Sequence, residues 1–161
     1  MTTRTQFAPS PRTLVADRPA STRLSLFAGG MVVANVLATA LAVAANWPSQ
    51  FGGVVGTDAS QDWLSRGTAI SAPLAPVVCL LLVAVLSRLG GWAGWVGTGL
   101  AFPTAVLVFV GGMGELVAEP TADVGRAVLT MAGVLWTVVA VAFVVLGVAA
   151  VRERRAQRDA A

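Results

Sequence analysis

Hydrophobic positions along the chain collect into four long runs separated by short polar segments. The first run extends from about Leu24 to Asn46 and the second from Ala69 to Ser87. The third reaches from Trp92 to about Met113, and the fourth from Ala127 to Val151. About 20 apolar residues cross a bilayer core as a helix, so each run is at or near spanning length. None carries an Arg, Asp or Glu in its interior. The pattern predicts an all-α fold, an integral membrane four-helix bundle over residues 24–151. The short "RLGG" connection between the second and third runs requires an antiparallel hairpin. Small residues recur every four positions in the first span (Gly30, Ala34, Ala38, Ala42) and in the third (Gly97, Ala101, Ala105). Helices in lipid associate by close packing, so both stripes predict helix contact faces.

The polar segments differ in charge, and that difference predicts an orientation. Residues 1–23 hold Arg4, Arg12, Arg18 and Arg23 against Asp17 and read as a disordered basic tail. Residues 152–161 form a second basic tail, and Arg88 stands between the second and third spans. These segments contain nine of the 11 Arg, while the two other connections contain Arg66 and Arg126 with five acids, a net charge of −3. The positive-inside rule then predicts cytoplasmic N- and C-termini. The stretch "LAVAAN" at 41–46 also fits a signal-peptide cleavage site, and cleavage after Ala44 would leave three spans. The long basic region, with Asn35 and Thr39 inside the apolar run, argues for a retained span.

Composition agrees with the membrane reading and narrows the chemistry. The 161 residues are 56% apolar and 12% charged, with a mean hydropathy of +0.76. Soluble domains carry about 25% charged residues. All basic residues are Arg, and Ala, Val and Gly abound, as in a GC-rich bacterial genome. The expected location is therefore the bacterial plasma membrane. There is no His and a single Cys79. That excludes imidazole ligands, thiolate zinc clusters, internal disulfides and any triad built on His. The chain is read as non-enzymatic, with no metal, no cofactor and no nucleic-acid partner.

Two clusters carry what chemistry remains. Asn35, Cys79, Pro103, Thr104 and Trp136 fall at comparable depth in their spans and are candidates to line a pocket. Pro103 removes a hydrogen bond to the carbonyl of Gly99, and Trp136 is too deep for an interfacial belt. Glu115, Glu119 and Asp123 sit four apart after the third span. About 34 Å of helix separates Trp92 from Glu115, which brings Glu115 to the outer headgroup level. The cluster reads first as a wetted exit from the membrane, and second as an acidic pocket mouth formed by Glu115 and Glu119. Asp58, Asp62 and Arg66 with Trp63 predict a short interfacial helix in the first external connection.

Two functions follow from these features. The first is an accessory or structural protein that binds another membrane protein, a second copy of itself or lipid, with anionic headgroups attracted to the Arg tails. The second is a small carrier or lipophile-binding protein that uses the pocket. A solidly packed bundle favours the first, and a pocket with a polar opening favours the second.

Overall fold

A computed structural model describes residues 18–48, 56, 58–68, 70–117 and 125–160. Among the described residues there are five helices and no strand. They are α1 (Pro19–Ala44), α2 (Ala59–Asp62), α3 (Leu74–Leu86), α4 (Gly91–Val117) and α5 (Arg126–Asp159). Three of them, α1, α4 and α5, are long and apolar enough to cross a membrane. Their outward faces carry large apolar side chains such as Leu37, Val106, Leu135 and Val145, each 60–65% exposed. A soluble monomer does not present so continuous an apolar surface. These are the features of a multi-pass membrane protein.

The boundaries differ from the sequence reading at α1 and α3. α1 begins at Pro19, so Arg23 lies on a helix and not in a tail. Pro at the first helical position accounts for the early start. α5 continues about two turns past the apolar run to Asp159, an extension open to the basic C-terminal segment from its sequence. The second apolar run forms only 13 helical residues, about 20 Å, instead of a helix over 69–87. Pro73 stands in extended backbone before the first turn, and Pro76 offers no N–H within it. Gly67, at φ +79°, turns the chain ahead of them, where a Cβ would collide with the Ser71 carbonyl. The one-turn helix α2 is capped by Asp58, whose side chain accepts from the Ser60 N–H at 2.8 Å. Hydrogen bonds from the Ser60 hydroxyl and backbone hold the exposed Asp58 carboxyl below its ordinary pKa.

The long helices pack in a ring: α1 against α3, α3 against α4, α4 against α5 and α5 against α1. The α4–α5 pair is the most extensive. Leu24, Ala28, Leu80, Val83, Ala101, Ala105, Val139, Ala140 and Phe143 fill the centre. Phe27 meets Phe143 edge-on, with ring centroids 5.0 Å apart, a favourable aromatic geometry. The α4 stripe of Gly97, Ala101 and Ala105 is buried as expected from its spacing. The α1 stripe is not a contact face. Ala42 is buried, but Gly30 and Ala34 are exposed and a Cβ at Gly30 would touch nothing. The packing face of α1 runs instead through Ser21, Leu24, Ser25, Ala28 and Asn35, because Leu24 and Ala28 enter the core there while Ser21, Ser25 and Asn35 bond to Glu153, the Ala84 carbonyl and Ala72.

One end of the ring is closed by two adjacent residues of α5. Glu153 accepts from the backbone N–H of Ala20 (2.9 Å) and Ser21 (3.0 Å) and from the Ser21 hydroxyl (2.8 Å). It thereby caps α1 from another helix, where Arg18 at the N-cap makes no side-chain cap bond. Arg154, only 4% exposed, donates to the carbonyls of Ser87 (2.6 Å) and Leu89 (3.3 Å) and to the Thr98 hydroxyl (2.9 Å). A carboxylate at a helix start and a guanidinium at a helix end both complement the helix dipoles. The start of α1, the end of α3, the start of α4 and the end of α5 therefore meet at one end.

Candidate functional site

At the opposite end of α4 lies a cavity of about 450 Å³. Its first wall is the non-helical segment before α3, with Arg66, Thr68, Ser71 and Ala72, followed by Pro73 and Pro76. Its second wall is one face of α4, from Leu107 and Val108 through Val110 and Gly111 to Glu115, and Trp136 of α5 closes the side. Leu107 and Glu115 are eight residues apart, so about 12 Å of helix separates an apolar floor from a carboxylate. The volume falls within the roughly 300–1,000 Å³ of small-molecule pockets.

Where the backbone leaves regular structure, its polar groups need partners elsewhere in the protein or in water. The first wall meets that condition. The Thr68 N–H donates to the Ser71 carbonyl (3.0 Å), and the Ser71 N–H donates to the Thr68 hydroxyl (3.1 Å). The two hydroxyls lie 2.7 Å apart. The Leu74 N–H reaches the Leu64 carbonyl at 3.2 Å. Asn35 secures the segment from behind: its Oδ1 accepts from the Ala72 N–H at 2.8 Å, and its Nδ2 donates to the Ala72 carbonyl at 3.5 Å. A side-chain amide thus pairs with the N–H and the C=O of one residue as a neighbouring strand would.

That clasp makes a prediction. Asn35→Leu leaves the Ala72 peptide unpaired and should lower unfolding stability in detergent by about 1–3 kcal/mol. Thr39→Ala, which removes only a bond to the Asn35 backbone carbonyl one turn earlier, should cost well under 1 kcal/mol. Equal losses would show that the amide does not hold the wall.

The sequence candidates are distributed as follows. Trp136 and Glu115 stand on the cavity wall, both half-buried. Asn35 is buried behind it. Cys79 is half-buried on α3 and is not a lining residue. Thr104 is buried and donates to the Leu100 carbonyl at 2.8 Å, while Pro103 is exposed on a continuous α4, and neither lines the cavity. Glu119 and Asp123 lie outside the described residues. Among the described residues no group of three or more acidic or Cys side chains is placed to hold a metal ion. Thr68 and Ser71 were not legible as wall residues, because their role depends on the turn at Gly67 and on Asn35, distant in sequence.

No protein-family model, curated protein or solved structure matches this chain.

Proposed function

We propose that the chain is a small membrane carrier or lipophile-binding protein whose ligand is an amphiphile held between α3, α4 and α5. The observation that carries this reading is the cavity of about 450 Å³ with an apolar floor at Leu107, Val108 and Trp136 and charged groups at Arg66 and Glu115. An apolar chain gains by displacing solvent from the floor, and a polar head finds both signs of charge at the rim. The reading includes four membrane crossings. For the second, the bonds among Thr68, Ser71, Ala72 and Asn35 ahead of the short α3 support a crossing longer than the helix itself. It also includes cytoplasmic termini in a bacterial plasma membrane, supported by the nine Arg gathered on one side. Retention of the first span is supported by Leu24 and Ala28 in the core and by the Glu153 cap. Binding, not catalysis, is the activity proposed.

The accessory reading has its own support in the unpartnered small-residue face of α1. Gly30 and Ala34 are exposed beside Val33 and Leu37, a surface suited to a second copy or another membrane protein.

Gly111 provides the decisive variant. It lines the cavity, and a Cβ there meets nothing within 4 Å. Gly111→Leu should therefore fill the cavity without strain, and helix propensity alone favours it by about 1 kcal/mol. A diazirine-bearing fatty acid should photolabel α4 in the wild type and label Gly111→Leu several-fold less. Gly99→Leu, at an exposed position outside the cavity with equally open space, should label like the wild type. Undiminished labelling of Gly111→Leu would remove the cavity from consideration.

A further inference from the structure

The capped end of the bundle holds a second cavity, of about 180 Å³, which shares no residue with the first. Arg18, Arg154 and Arg158 line it with Gly91, Trp95 and Gln157, and no acidic residue does. Arg154 is buried, and Arg18 is half-buried. Nη1 of Arg18 donates to the Leu89 carbonyl at 3.0 Å, the oxygen that also accepts from both Nη atoms of Arg154 at 3.3 Å. Two guanidinium groups therefore converge on one uncharged acceptor. Nε of Arg18 donates to Oε1 of Gln157 at 3.0 Å, another uncharged acceptor. The adjacent carboxylate, Glu153, lies outside the cavity lining and offsets part of the Arg154 charge, but both its oxygens are engaged by the start of α1.

Three like charges thus face one small space, and none of the cavity's own residues supplies a counter-charge. Such an arrangement is costly when empty of anions and favourable when one enters. Guanidinium forks match phosphate oxygens in bidentate geometry. Gly91, at the start of the 27-residue α4, adds the positive end of a helix dipole without a side chain in the way. Trp95, one turn into α4, puts an indole beside the Arg cluster, as at a membrane interface. Basic pockets between membrane helices commonly hold phosphate headgroups.

We propose that this cavity binds a phosphate-bearing anion, held by Arg18, Arg154 and Arg158 across the junction of α1, α4 and α5. Occupancy ties the start of α1 to the end of α5 and stabilises the closed ring. The inference does not depend on the lipophile reading, since it concerns different residues at the other end of α4.

The test uses the full chain in a neutral detergent and follows the thermal midpoint. Phosphatidic acid, phosphatidylcholine and inorganic phosphate are titrated separately, at constant ionic strength. Phosphatidic acid is expected to raise the midpoint with saturation, and phosphatidylcholine, whose headgroup has no net charge, to have far less effect. Arg158→Gln, at an exposed position where folding is not at stake, should raise the half-saturating concentration about fivefold to tenfold through loss of charge-assisted bonds. Arg155→Gln removes an exposed charge next to Arg154 in sequence but outside the cavity lining, and should leave that concentration unchanged. Saturable stabilisation by inorganic phosphate, weakened by Arg158→Gln alone, would assign the site to a free anion. A requirement for the lipid would assign it to a headgroup. The proposal is overturned if neither phosphate source stabilises the protein, if phosphatidylcholine matches phosphatidic acid, or if both Gln variants weaken binding equally, as diffuse attraction would.

Discussion

Gly133→Leu should destabilise the protein by about 3 kcal/mol, the upper range for overpacking a close contact. A Cβ at Gly133 would lie 2.5 Å from Cγ of Leu116 and 2.8 Å from the carbonyl oxygen of Gly112. One at Gly112 would lie 2.8 Å from Cβ of Trp136 and 3.0 Å from the Gly133 carbonyl oxygen. The two backbones cross with nothing between them, and a helical carbonyl cannot swing aside as a flexible side chain can. Without a hydrophobic driving force between helices in lipid, such approach supplies much of the α4–α5 contact energy. The crossing also fixes Trp136, so Gly133→Leu should reduce photolabelling of the cavity along with the unfolding midpoint. Ala34→Phe serves as the contrast. It adds a similar volume, but at an exposed face of α1, and should change stability by no more than about 0.5 kcal/mol. Chemical unfolding in detergent measures both. A Gly133→Leu midpoint equal to that of Ala34→Phe would mean that the helices have room to separate.

The long spans were legible because uninterrupted apolar length is a strong signal, and α1, α4 and α5 fall where the runs predict them. The shortened α3 was not. Proline is tolerated in the first helical turn, so Pro73 and Pro76 are compatible with a helix that begins before them or at them. What decides is the turn at Gly67 and the clasp from Asn35, both outside the run. The small-residue stripes show a similar limit. On α4 the stripe is buried, while on α1 its first two members face outward. Lipid accepts a glycine or alanine as readily as a neighbouring helix does, so spacing identifies a face without identifying what covers it.

At the site level, Trp136 and Glu115 stood out in the sequence because an indole deep in an apolar run and a carboxylate at its end are both unusual. The crossing at Gly112 and Gly133 did not, since glycines are frequent throughout the chain and which pair meets depends on the rotation of both helices. Glu153 and Arg154 resembled ordinary charges after a membrane span. Their partners at Ala20, Ser21, Ser87, Leu89 and Thr98 are at least 56 residues away, and no local pattern announces them.

Arg154→Leu is the second change expected to be severe, at about 3 kcal/mol. Leucine approximates the buried bulk but leaves the Ser87 carbonyl without its cationic donor, the Leu89 carbonyl with Arg18 alone and the Thr98 hydroxyl without the Nε bond. The end of α3 loses its cap, and α5 loses its link to the turn between α3 and α4. Arg154→Lys should recover only part of the loss, because a single ammonium cannot span acceptors arranged around a planar fork. The particular signature of the clasp lies in Gly94. A Cβ there would collide with the Arg154 guanidinium and with the Leu89 carbonyl, so Gly94→Ala displaces the same donors from the opposite side. Each single change should lower the unfolding midpoint. Combined, they should cost clearly less than the sum of the two, since the alanine no longer meets a guanidinium and the bonds it would break are already gone. A double-mutant cycle in detergent measures that difference. Strict additivity would mean that Gly94 accommodates something other than Arg154, and that the ring is closed at this end by packing instead of the guanidinium.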